Sequence, residues 1–458
     1  MVPSYNRGLA AAIIIAVCLR MLLPIASWAL NGDTSRFHAN DTAGYVTPAR
    51  HLLESGAFAT GNGTEIIRTP GYPLLLLPGL LFGQLEWVTV SLQAFLAGLS
   101  VLLVFGLAHT LADDHRTALI AAWIYAIEPL SVIYSGVLLT ETLFAVLILL
   151  FLRSMFAHLR TGGLSHLLLS SAFLSGASFV RPIAYPLLLV VGAFLLIRPV
   201  RQLAFRRRLL NASLFAAAGL MIVLPWQIRN GLRTGFYGVS AISAISLYFY
   251  QGAAVRAAVD EVPFSEMQKH MGHAQPARYF SQHPGQLDWT AGQRYAYFQA
   301  EGIRAIAQHP LVYARIHLKG MVRSLVDPGA VDALKYLGLY PHSGGLLGIA
   351  VDQGLVQALR VLFQKHPLVI WLSLVLGAGL LVSYGLAILG IRAAPGGPFV
   401  PLLLLVAVYF VLLSGGPQSL GRFRHPAMPI VAIFAGMGLS GVAAFVHRSR
   451  TRSPSSHL

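Results

Sequence analysis

Three of the chain's few acidic residues lie beside or within long apolar segments. The chain has only 17 Asp and Glu among 458 residues. Asp41 follows the first apolar run, Glu128 lies in YAIEPLS, and Glu141 lies in SGVLLTETLFAVL. An ionisable group at membrane depth is costly to desolvate and is by default a functional candidate. Glu141 has a second interpretation, a favourable negative charge at a helix start, and the sequence leaves both open.

Arginines form the second set of residues that could do chemistry. Arg binds phosphate oxygens bidentately and keeps its charge. Snorkelling toward lipid head groups is the alternative for any single one. Arg nevertheless occurs at four places where a predicted span meets the outer face of the membrane, which indicates a site for an anionic lipid. These residues are Arg68 in IIRTPGYP, Arg181 in SFVRPIAYP, Arg229 in LPWQIRNGL, and Arg422 and Arg424 in LGRFRHP.

Signatures of soluble enzymes and metal sites are missing from the sequence. It contains no Walker loop, no G-x-S-x-G and no H-E-x-x-H. The histidines show no ligand spacing, and no Asp-x-Asp pair lies near Asp41. We therefore predict no cofactor and assign no metal ligands. A divalent cation, Mg²⁺ or Mn²⁺, is left open without such a pair to support it.

The composition is that of a membrane protein. The chain is 56% hydrophobic and 11% charged, with a mean hydropathy of +0.66, whereas a soluble domain has about 25% charged residues. We predict an all-α polytopic fold, since no series of short alternating strands is visible. The net charge of +16 suggests nucleic acid, but the basic residues are scattered among apolar helices, so we expect no such partner. A single cysteine, Cys18, excludes an intramolecular disulfide.

About ten segments are long and apolar enough to be candidate spans of roughly 20 residues. The least certain pair is 166–182 and 184–198, because Arg181-Pro182 interrupts the run. Arg7 and the following apolar run resemble a signal peptide but are interpreted as an uncleaved first span. The candidate spans are 8–30, 87–109, 117–134, 138–158, 166–182, 184–198, 209–228, 367–391, 399–415 and 426–446.

The Lys and Arg content of the short loops predicts the orientation. The segment RPVRQLAFRRR (198–208) and the tail motif HRSRTR are predicted to be cytoplasmic. The outside then receives loop 31–86, the long region 229–366 and the loop GGPQSLGRFRHP. Arg20, inside the first span, is expected to face the bundle interior.

Several helices are predicted in the external regions, where they would position these residues. Residues 47–54 have helical spacing with Gly56 as a stop, and 71–83 suits a helix lying in the outer interface. Residues 294–326 predict two amphipathic helices broken at His309-Pro310, and 346–364 is a further amphipathic candidate. No internal repeat is visible, which counts against a transporter.

The order of these motifs is similar to that of a known family. The sequence resembles the polyprenyl-phosphate-sugar-dependent glycosyltransferases of the GT-C fold, on the branch that contains aminoarabinose transferases and protein O-mannosyltransferases. The likeness covers roughly 8–230 and 367–446. The motifs that carry it are Asp41 with Tyr45, the helix from Ala49 to Gly56, Arg-Thr-Pro-Gly-Tyr-Pro (68–73), Glu141, Arg-Pro (181–182), Pro-Trp-Gln-Ile-Arg-Asn (225–230) and Arg-Phe-Arg-His-Pro-x-x-Pro (422–429).

The resemblance implies an architecture and a location. We expect a GT-C-like bundle of about ten or more transmembrane helices with interfacial helices. Residues 1–230 would form the catalytic transmembrane module, 231–366 an extracytoplasmic loop with amphipathic helices, and 367–458 the last spans with a basic tail. The expected location is the bacterial inner membrane, with the active site facing the periplasm and the protein a monomer.

The resemblance also assigns roles to residues by position. Asp41 would be the general base on the acceptor, and Arg68 would contact the donor phosphate. Glu141 would be a second catalytic acid that supports the acceptor or a metal. The weaker assignments are Arg181, Arg229, Arg422 and Arg424 as donor phosphate or lipid contacts, with Tyr45 and Tyr72 supporting.

The implied reaction moves a sugar from a polyprenyl-phosphate donor, such as undecaprenyl phosphate, to a glycan, lipid or protein acceptor. Arginines would stabilise the departing phosphate and a carboxylate would accept the acceptor's proton. A single displacement would invert the anomeric carbon. Some relatives have an acid or an Arg just after the first Asp, where this chain has Thr42, Ala43 and Gly44. The alternatives are a ligase like those that transfer O-antigen, or a lipid flippase or transporter.

Overall fold

Apolar α-helices make up most of the chain, as expected of a backbone that must satisfy its own hydrogen bonds in lipid. The computed structural model describes residues 3–61, 63–197, 204–340 and 367–451, together with Val356, Arg360 and Phe363. Within these residues the only strands are β1 (Ala59–Thr60) and β2 (Gly63–Thr64), which pair antiparallel. The protein is therefore an all-α membrane protein.

The N-terminal half forms a helical bundle with most of the buried apolar side chains. In this bundle α7 packs against α4 and α8, while α1 packs against α4 and α5. The helices are α1 (Pro3–Asn31), α2 (Thr42–Ser55), α3 (Gly71–Leu81), α4 (Leu85–Ala112), α5 (His115–Ala126), α6 (Pro129–Ser135), α7 (Glu141–Thr161), α8 (Leu164–Val180), α9 (Tyr185–Ile197) and α10 (Phe205–Thr234).

Short helices follow α10 and enclose a separate aromatic core. Tyr248 and Phe298 stack with ring centroids 4.9 Å apart, and Tyr279 meets Phe298 edge-on at 5.4 Å. The elements are α11 (Ile242–Ser246), a π-helical turn (Leu247–Gly252), α12 (Ala253–Val259), α13 (Phe264–His270), α14 (Pro276–Gln282), α15 (Ala291–Gln308), α16 (Pro310–Val326) and α17 (Ala330–Tyr336).

The amphipathic pair predicted within residues 294–326 is present as α15 and α16. Thr290 and Gln293 form a capping box that starts α15. His309 interrupts the two helices, and Pro310 begins α16, where its missing N–H is not needed. The predicted helix at 346–364 lies outside the described residues apart from Val356, Arg360 and Phe363.

The C-terminal helices return to the N-terminal bundle. They are α18 (Pro367–Ala393), α19 (Phe399–Leu413) and α20 (Met428–Thr451), with a 3₁₀ segment (Gly421–Ala427) before the last. Helix α20 packs against α18 and α5, and the 3₁₀ segment lies against α6 and α7. This packing brings the motif that contains Arg422 to the start of α7.

The helices cover the predicted spans, with some of them shorter than expected. Six described helices are long and apolar enough to cross a membrane, and a seventh is counted if α5 and α6, bent by 52°, form one span. Helices α8, α9 and α19 match three further predictions but are shorter apolar helices. Arg181 and Pro182 separate α8 from α9, because the residue before Pro disfavours helix and Pro lacks an N–H.

The predicted external helices α2 and α3 flank the β1–β2 hairpin. Helix α2 ends at Gly56, whose φ of 69° is left-handed and whose N–H donates to Leu52 O at 3.0 Å. Helix α3 packs against both α2 and α4. Its contact with α8 is close, since a Cβ on Gly71 would lie 2.7 Å from Phe179 O. The placement of α3 in the outer interface stays a prediction.

Candidate active site

Asp41 stands directly before α2, at the end of the segment that follows α1. An Asp at this position usually caps the helix by accepting backbone N–H bonds. Here the side chain makes no capping bond. Its Oδ1 accepts from Arg68 Nη2 at 2.9 Å, and its Oδ2 accepts from Arg422 Nη2 at 2.8 Å. The carboxylate is thus used for tertiary ion pairing rather than for local structure.

Arg68 is held in the turn that leads into α3. Glu65 Oε1 accepts from the backbone N–H groups of Ile67 at 2.5 Å and of Arg68 at 2.7 Å, which fixes the turn. The guanidinium lies 4.7 Å from the ring centroid of Tyr45 and donates to the Tyr45 hydroxyl at 3.1 Å. The aromatic face and the hydroxyl orient Arg68 toward Asp41.

Arg422 reaches Asp41 from the opposite end of the chain. It lies in the 3₁₀ segment, whose first residue, Gly421, donates its N–H to Asp327 Oδ2 at 3.2 Å. The Arg422 side chain is 20% exposed, like that of Arg68. Asp41 is therefore bracketed by two half-buried guanidiniums that come from sequence segments far apart.

Glu141 is the first residue of α7 and carries the second carboxylate. It is 2% exposed, and its Oε1 accepts from Arg181 Nη1 at 3.3 Å. Its Oε2 is buried and has no hydrogen-bond partner among the described residues. Glu141 and Asp41 both act electrostatically on Arg422. We call Asp41, Glu141, Arg68, Arg181 and Arg422 the acid–arginine cluster.

The acid–arginine cluster joins three guanidiniums to two carboxylates. Two further acids lie in range, since Glu65 acts electrostatically on Arg68 and Asp332 lies within range of Arg422. Buried polar groups that lack a partner normally have an unseen one, such as a water or an ion. The three guanidiniums and the unpaired Glu141 oxygen make this a site able to receive an anion together with a hydrogen-bond donor.

Two opposing effects set the protonation of Asp41. Burial acts to raise the pKa of the Asp41 carboxyl, but the charges of Arg422 and Arg68 and their hydrogen bonds outweigh burial. The pKa of Asp41 therefore lies below its usual range. The carboxylate is ionised at neutral pH, as a proton acceptor must be, although its basicity is weakened while both guanidiniums bind it.

Tyr45 contacts Arg68 of the cluster, and Tyr72 packs against Tyr45. Their rings meet edge-on with centroids 5.1 Å apart. The buried Tyr72 hydroxyl donates to Gln93 Oε1 at 2.9 Å, and Gln93 Nε2 donates to the carbonyls of Ser135 at 2.8 Å and Val137 at 2.9 Å. Gln93 thus fastens α3 and α4 to the turn that leads to Glu141.

The other two predicted arginines are not brought to Asp41. Arg229 donates to the carbonyls of Phe58 at 2.6 Å and Glu65 at 2.7 Å, so it ties the β1–β2 hairpin to α10. Arg424 is 2% exposed and donates to the carbonyls of Ser324 and Asp327. Both guanidiniums satisfy backbone groups next to residues that position the cluster.

The residues that follow Asp41 explain why no further charge stands there. Thr42 is buried, and its hydroxyl donates to Leu138 O at 3.0 Å and accepts from Ala39 N at 2.9 Å. Gly44 lies under the Arg68 side chain, and a Cβ at this position would be 3.0 Å from Arg68 Nε. Thr42 therefore fixes the loop, and Gly44 leaves the space that Arg68 occupies.

Three polar residues near the cluster were not predicted from sequence. Glu65 shapes the Arg68 turn, and its only signal is an acid three residues before a functional Arg. Asp332 accepts from the Tyr134 hydroxyl at 2.7 Å and lies within electrostatic range of Arg422. Tyr250 is affected by the charges of Asp41 and Arg68. Asp332 and Tyr250 lie between α10 and α18, in a region without a recognisable motif.

Within the part of the chain that the structure describes, no group of three or more His, Cys, Asp and Glu lies together in a way that could hold a metal ion. The two acids of the cluster have guanidinium partners instead. The donor set therefore suits an anion better than a cation.

Comparisons with known proteins agree with this architecture. A profile of the family described as dolichyl-phosphate-mannose-protein mannosyltransferase matches residues 71–228, which is less than half of the chain. No curated protein sequence is detectably similar.

Two solved structures share the fold. The archaeal oligosaccharyltransferase AglB from Archaeoglobus fulgidus, in complex with an inhibitory peptide and a dolichol-phosphate, has a TM-score of 0.54 and 17% identity over 99% of this chain and 52% of its own. ArnT from Cupriavidus metallidurans, bound to undecaprenyl phosphate, has a TM-score of 0.50 and 13% identity over 93% of this chain and 60% of its own. The chain thus spans little more than half the length of either.

The chain has the GT-C fold, and this result confirms the fold class predicted from sequence. The profile match runs from α3 to α10 and includes Glu141 and Arg181 of the cluster. Fold and match together agree with the family resemblance inferred from the motifs.

Proposed function

We propose that the protein transfers a sugar from a polyprenyl-phosphate-linked donor to an acceptor on the extracytoplasmic face of the bacterial inner membrane. The transfer is a single displacement that inverts the anomeric carbon. Asp41 is the general base, and Arg68 and Arg422 hold the donor phosphate. Glu141 and Arg181 complete the charged wall of the site.

One observation carries this proposal. A carboxylate that could have capped α2 is held between two guanidiniums, 2.9 Å and 2.8 Å away, and one of them, Arg68, lies in the turn that leads into apolar α3. A lipid-linked phosphate needs guanidiniums near the apolar boundary, and an acceptor needs a base beside them. Asp41, Arg68 and Arg422 supply both requirements in one place.

The proposed steps balance without another reactant. The acceptor's hydroxyl or amine attacks the anomeric carbon as the bond from that carbon to the phosphate oxygen breaks. The acceptor's proton passes to Asp41, and the leaving group departs as polyprenyl phosphate. Arg68 and Arg422 stabilise the negative charge that grows on the leaving oxygen. In this proposal guanidiniums, rather than metal-bound groups, take that charge.

Donor binding also prepares the base. The phosphate competes with Asp41 for the same two guanidiniums, since each Arg has a limited set of donors. As one guanidinium turns toward the phosphate, Asp41 loses a hydrogen bond that lowers its pKa. The Asp41 carboxylate then becomes a stronger base once the donor is bound, which is when the acceptor substrate can react.

The relatives support the class of donor. The AglB structure contains a dolichol-phosphate, and the ArnT structure contains undecaprenyl phosphate, so both hold a polyprenyl phosphate in the shared fold. The two proteins differ, since one is an oligosaccharyltransferase in complex with an inhibitory peptide and the other is ArnT. We therefore assign the donor class by analogy and leave the acceptor to experiment.

Substitution of Asp41 tests the proposal. Purified protein would be added to a membrane preparation with radiolabelled undecaprenyl-phosphate sugars, and transfer into lipid, polysaccharide and protein fractions would be measured. Asp41→Asn removes the proton acceptor and keeps the side-chain shape, so we expect a loss of about 100-fold or more. Glu54→Gln is the matched control, an exposed acid on α2 whose loss leaves transfer unchanged. Full activity of Asp41→Asn would rule Asp41 out as the base.

A further inference from the structure

A short external segment, Ser240–Gly252, contains α11 and the only π-helical turn in the described chain. The turn covers Leu247–Gly252 and is continuous with α12. A π-helical insertion widens the helix and is frequent at functional sites. We call Ser240–Gly252 the roof segment.

The roof segment begins on the loop that carries Arg68. Ser240 Oγ donates to Ile67 O at 2.5 Å, and Ala241 N donates to Ile66 O at 2.8 Å. These carbonyls belong to the two residues immediately before Arg68. The start of the roof segment is therefore fastened to the turn that aims the first guanidinium at Asp41.

The middle of the roof segment meets the loop before Arg422. Gln418 Nε2 donates to Ser246 Oγ at 2.9 Å. The Gln251 side chain lies against Gly416, where an added Cβ would come within 2.7 Å of the Gln251 amide. One short segment thus contacts both loops whose arginines bind Asp41, although those loops lie far apart in sequence.

Tyr250 lies in the π-helical turn, next to Gln251, whose side chain contacts Gly416. Its ring packs edge-on against His273 with centroids 5.0 Å apart, and its hydroxyl makes no hydrogen bond to any described residue. Burial raises the pKa of Tyr250, the negative charge of Asp41 raises it further, and Arg68 opposes them. Tyr250 therefore belongs to the segment that contacts both arginine loops, and it lies within electrostatic range of Asp41 and Arg68.

We propose that Tyr250 forms part of the binding subsite for the transferred sugar. This inference rests on the proposed function. In an in-line transfer the sugar must lie between the phosphate, held by Arg68, and the acceptor, held at Asp41. The free hydroxyl can exchange a hydrogen bond with a sugar hydroxyl, and the ring can cover an apolar face of the sugar. The roof segment contacts both arginine loops and thereby fixes the position of Tyr250 relative to them.

The test separates the sugar from the phosphate. Dissociation constants would be measured by native mass spectrometry in nanodiscs for undecaprenyl phosphate and for undecaprenyl-phosphate mannose, glucose, galactose and arabinose. Tyr250→Phe keeps the ring and its packing on His273 but removes the hydroxyl. For the sugar-linked lipid that wild type binds most tightly, we expect about 5- to 10-fold weaker binding, the effect of one lost hydrogen bond. Affinity for undecaprenyl phosphate stays unchanged.

Tyr297→Phe is the matched control. The Tyr297 hydroxyl contacts His283 within the aromatic core, so its loss leaves both affinities as in wild type. If Tyr250→Phe weakens both lipids equally, or neither, the sugar subsite is refuted while the donor assignment stands. If wild type binds none of these lipids, the proposed function itself fails, and the inference fails with it.

Discussion

Two pairs of arginines, all candidate phosphate contacts in the sequence, have opposite surroundings in the structure. Arg68 and Arg422 bind the carboxylate of Asp41, whereas Arg229 and Arg424 bind backbone carbonyls. Backbone carbonyls are fixed parts of the fold, so the second pair is committed to holding it together. A carboxylate can exchange its guanidinium for a phosphate. The kind of acceptor, rather than the depth of burial, separates site arginines from structural ones.

We expect the largest effect from substitutions in the first pair, and its absence would remove the contrast with the second pair. In the proposed reaction, Arg68→Ala and Arg422→Ala each remove a donor to the departing phosphate, so we expect kcat/KM for an undecaprenyl-phosphate sugar to fall by about 100- to 1,000-fold. The exposed residue Arg50 lies on α2, and Arg50→Ala serves as the control with unchanged kinetics. Unaltered kinetics in Arg68→Ala would reduce Arg68 to an anchor for Asp41.

A smaller effect, on stability, is expected from the second pair. Arg424→Met keeps the side-chain length but leaves the carbonyls of Ser324 and Asp327 without their donor, which costs about 1–3 kcal/mol. Thermal inactivation in detergent would occur at a lower temperature, while kcat/KM of the folded protein stays near the wild-type value. Arg422→Met in the same assays provides the contrast. A large kinetic loss in Arg424→Met with normal stability would move Arg424 into the site.

The pH dependence of activity tests whether Arg68 and Arg422 control the ionisation of Asp41. Asp41 must be ionised to accept a proton, so activity is present above its pKa and lost as the pH falls through that value. Arg422 and Arg68 hold the pKa of Asp41 below its usual range against the effect of burial. Arg422→Gln removes one of them, so the acid limb of the residual kcat/KM profile moves to higher pH. A limb that stays in place would mean that another group is titrating.

Local motifs made the first half of the site predictable. Arg68 lies in a run of Thr, Pro and Gly that predicts a turn before a helix, and the structure has that turn. Asp41 was marked by its position after an apolar run. The spans were predictable for the same reason, since hydropathy is a local property. The interruption at Arg181 and Pro182 was also visible and does separate two short helices.

Long-range pairing could not be predicted in the same way. Arg422 meets Asp41 across 381 positions of sequence, and no local pattern encodes that contact. Arg422 and Arg424 belong to one motif, yet they point to different partners. In a 3₁₀ segment with three residues per turn, positions two apart face different directions. Sequence offered both residues as equals, and the tertiary packing of this segment distinguishes them, since it places Arg424 at the end of α16 and Arg422 at Asp41.

Gly44 gives the absence of a charge after Asp41 a physical meaning. By sequence resemblance, an acid or an Arg could stand at positions 42–44, and this chain has none there. In the structure the Arg68 side chain occupies the space next to Gly44, because an added Cβ would lie 3.0 Å from Arg68 Nε. The loop and the Arg68 turn are therefore constrained jointly. A descendant of this protein could acquire a bulky residue at position 44 only if the Arg68 side chain first took another route to Asp41.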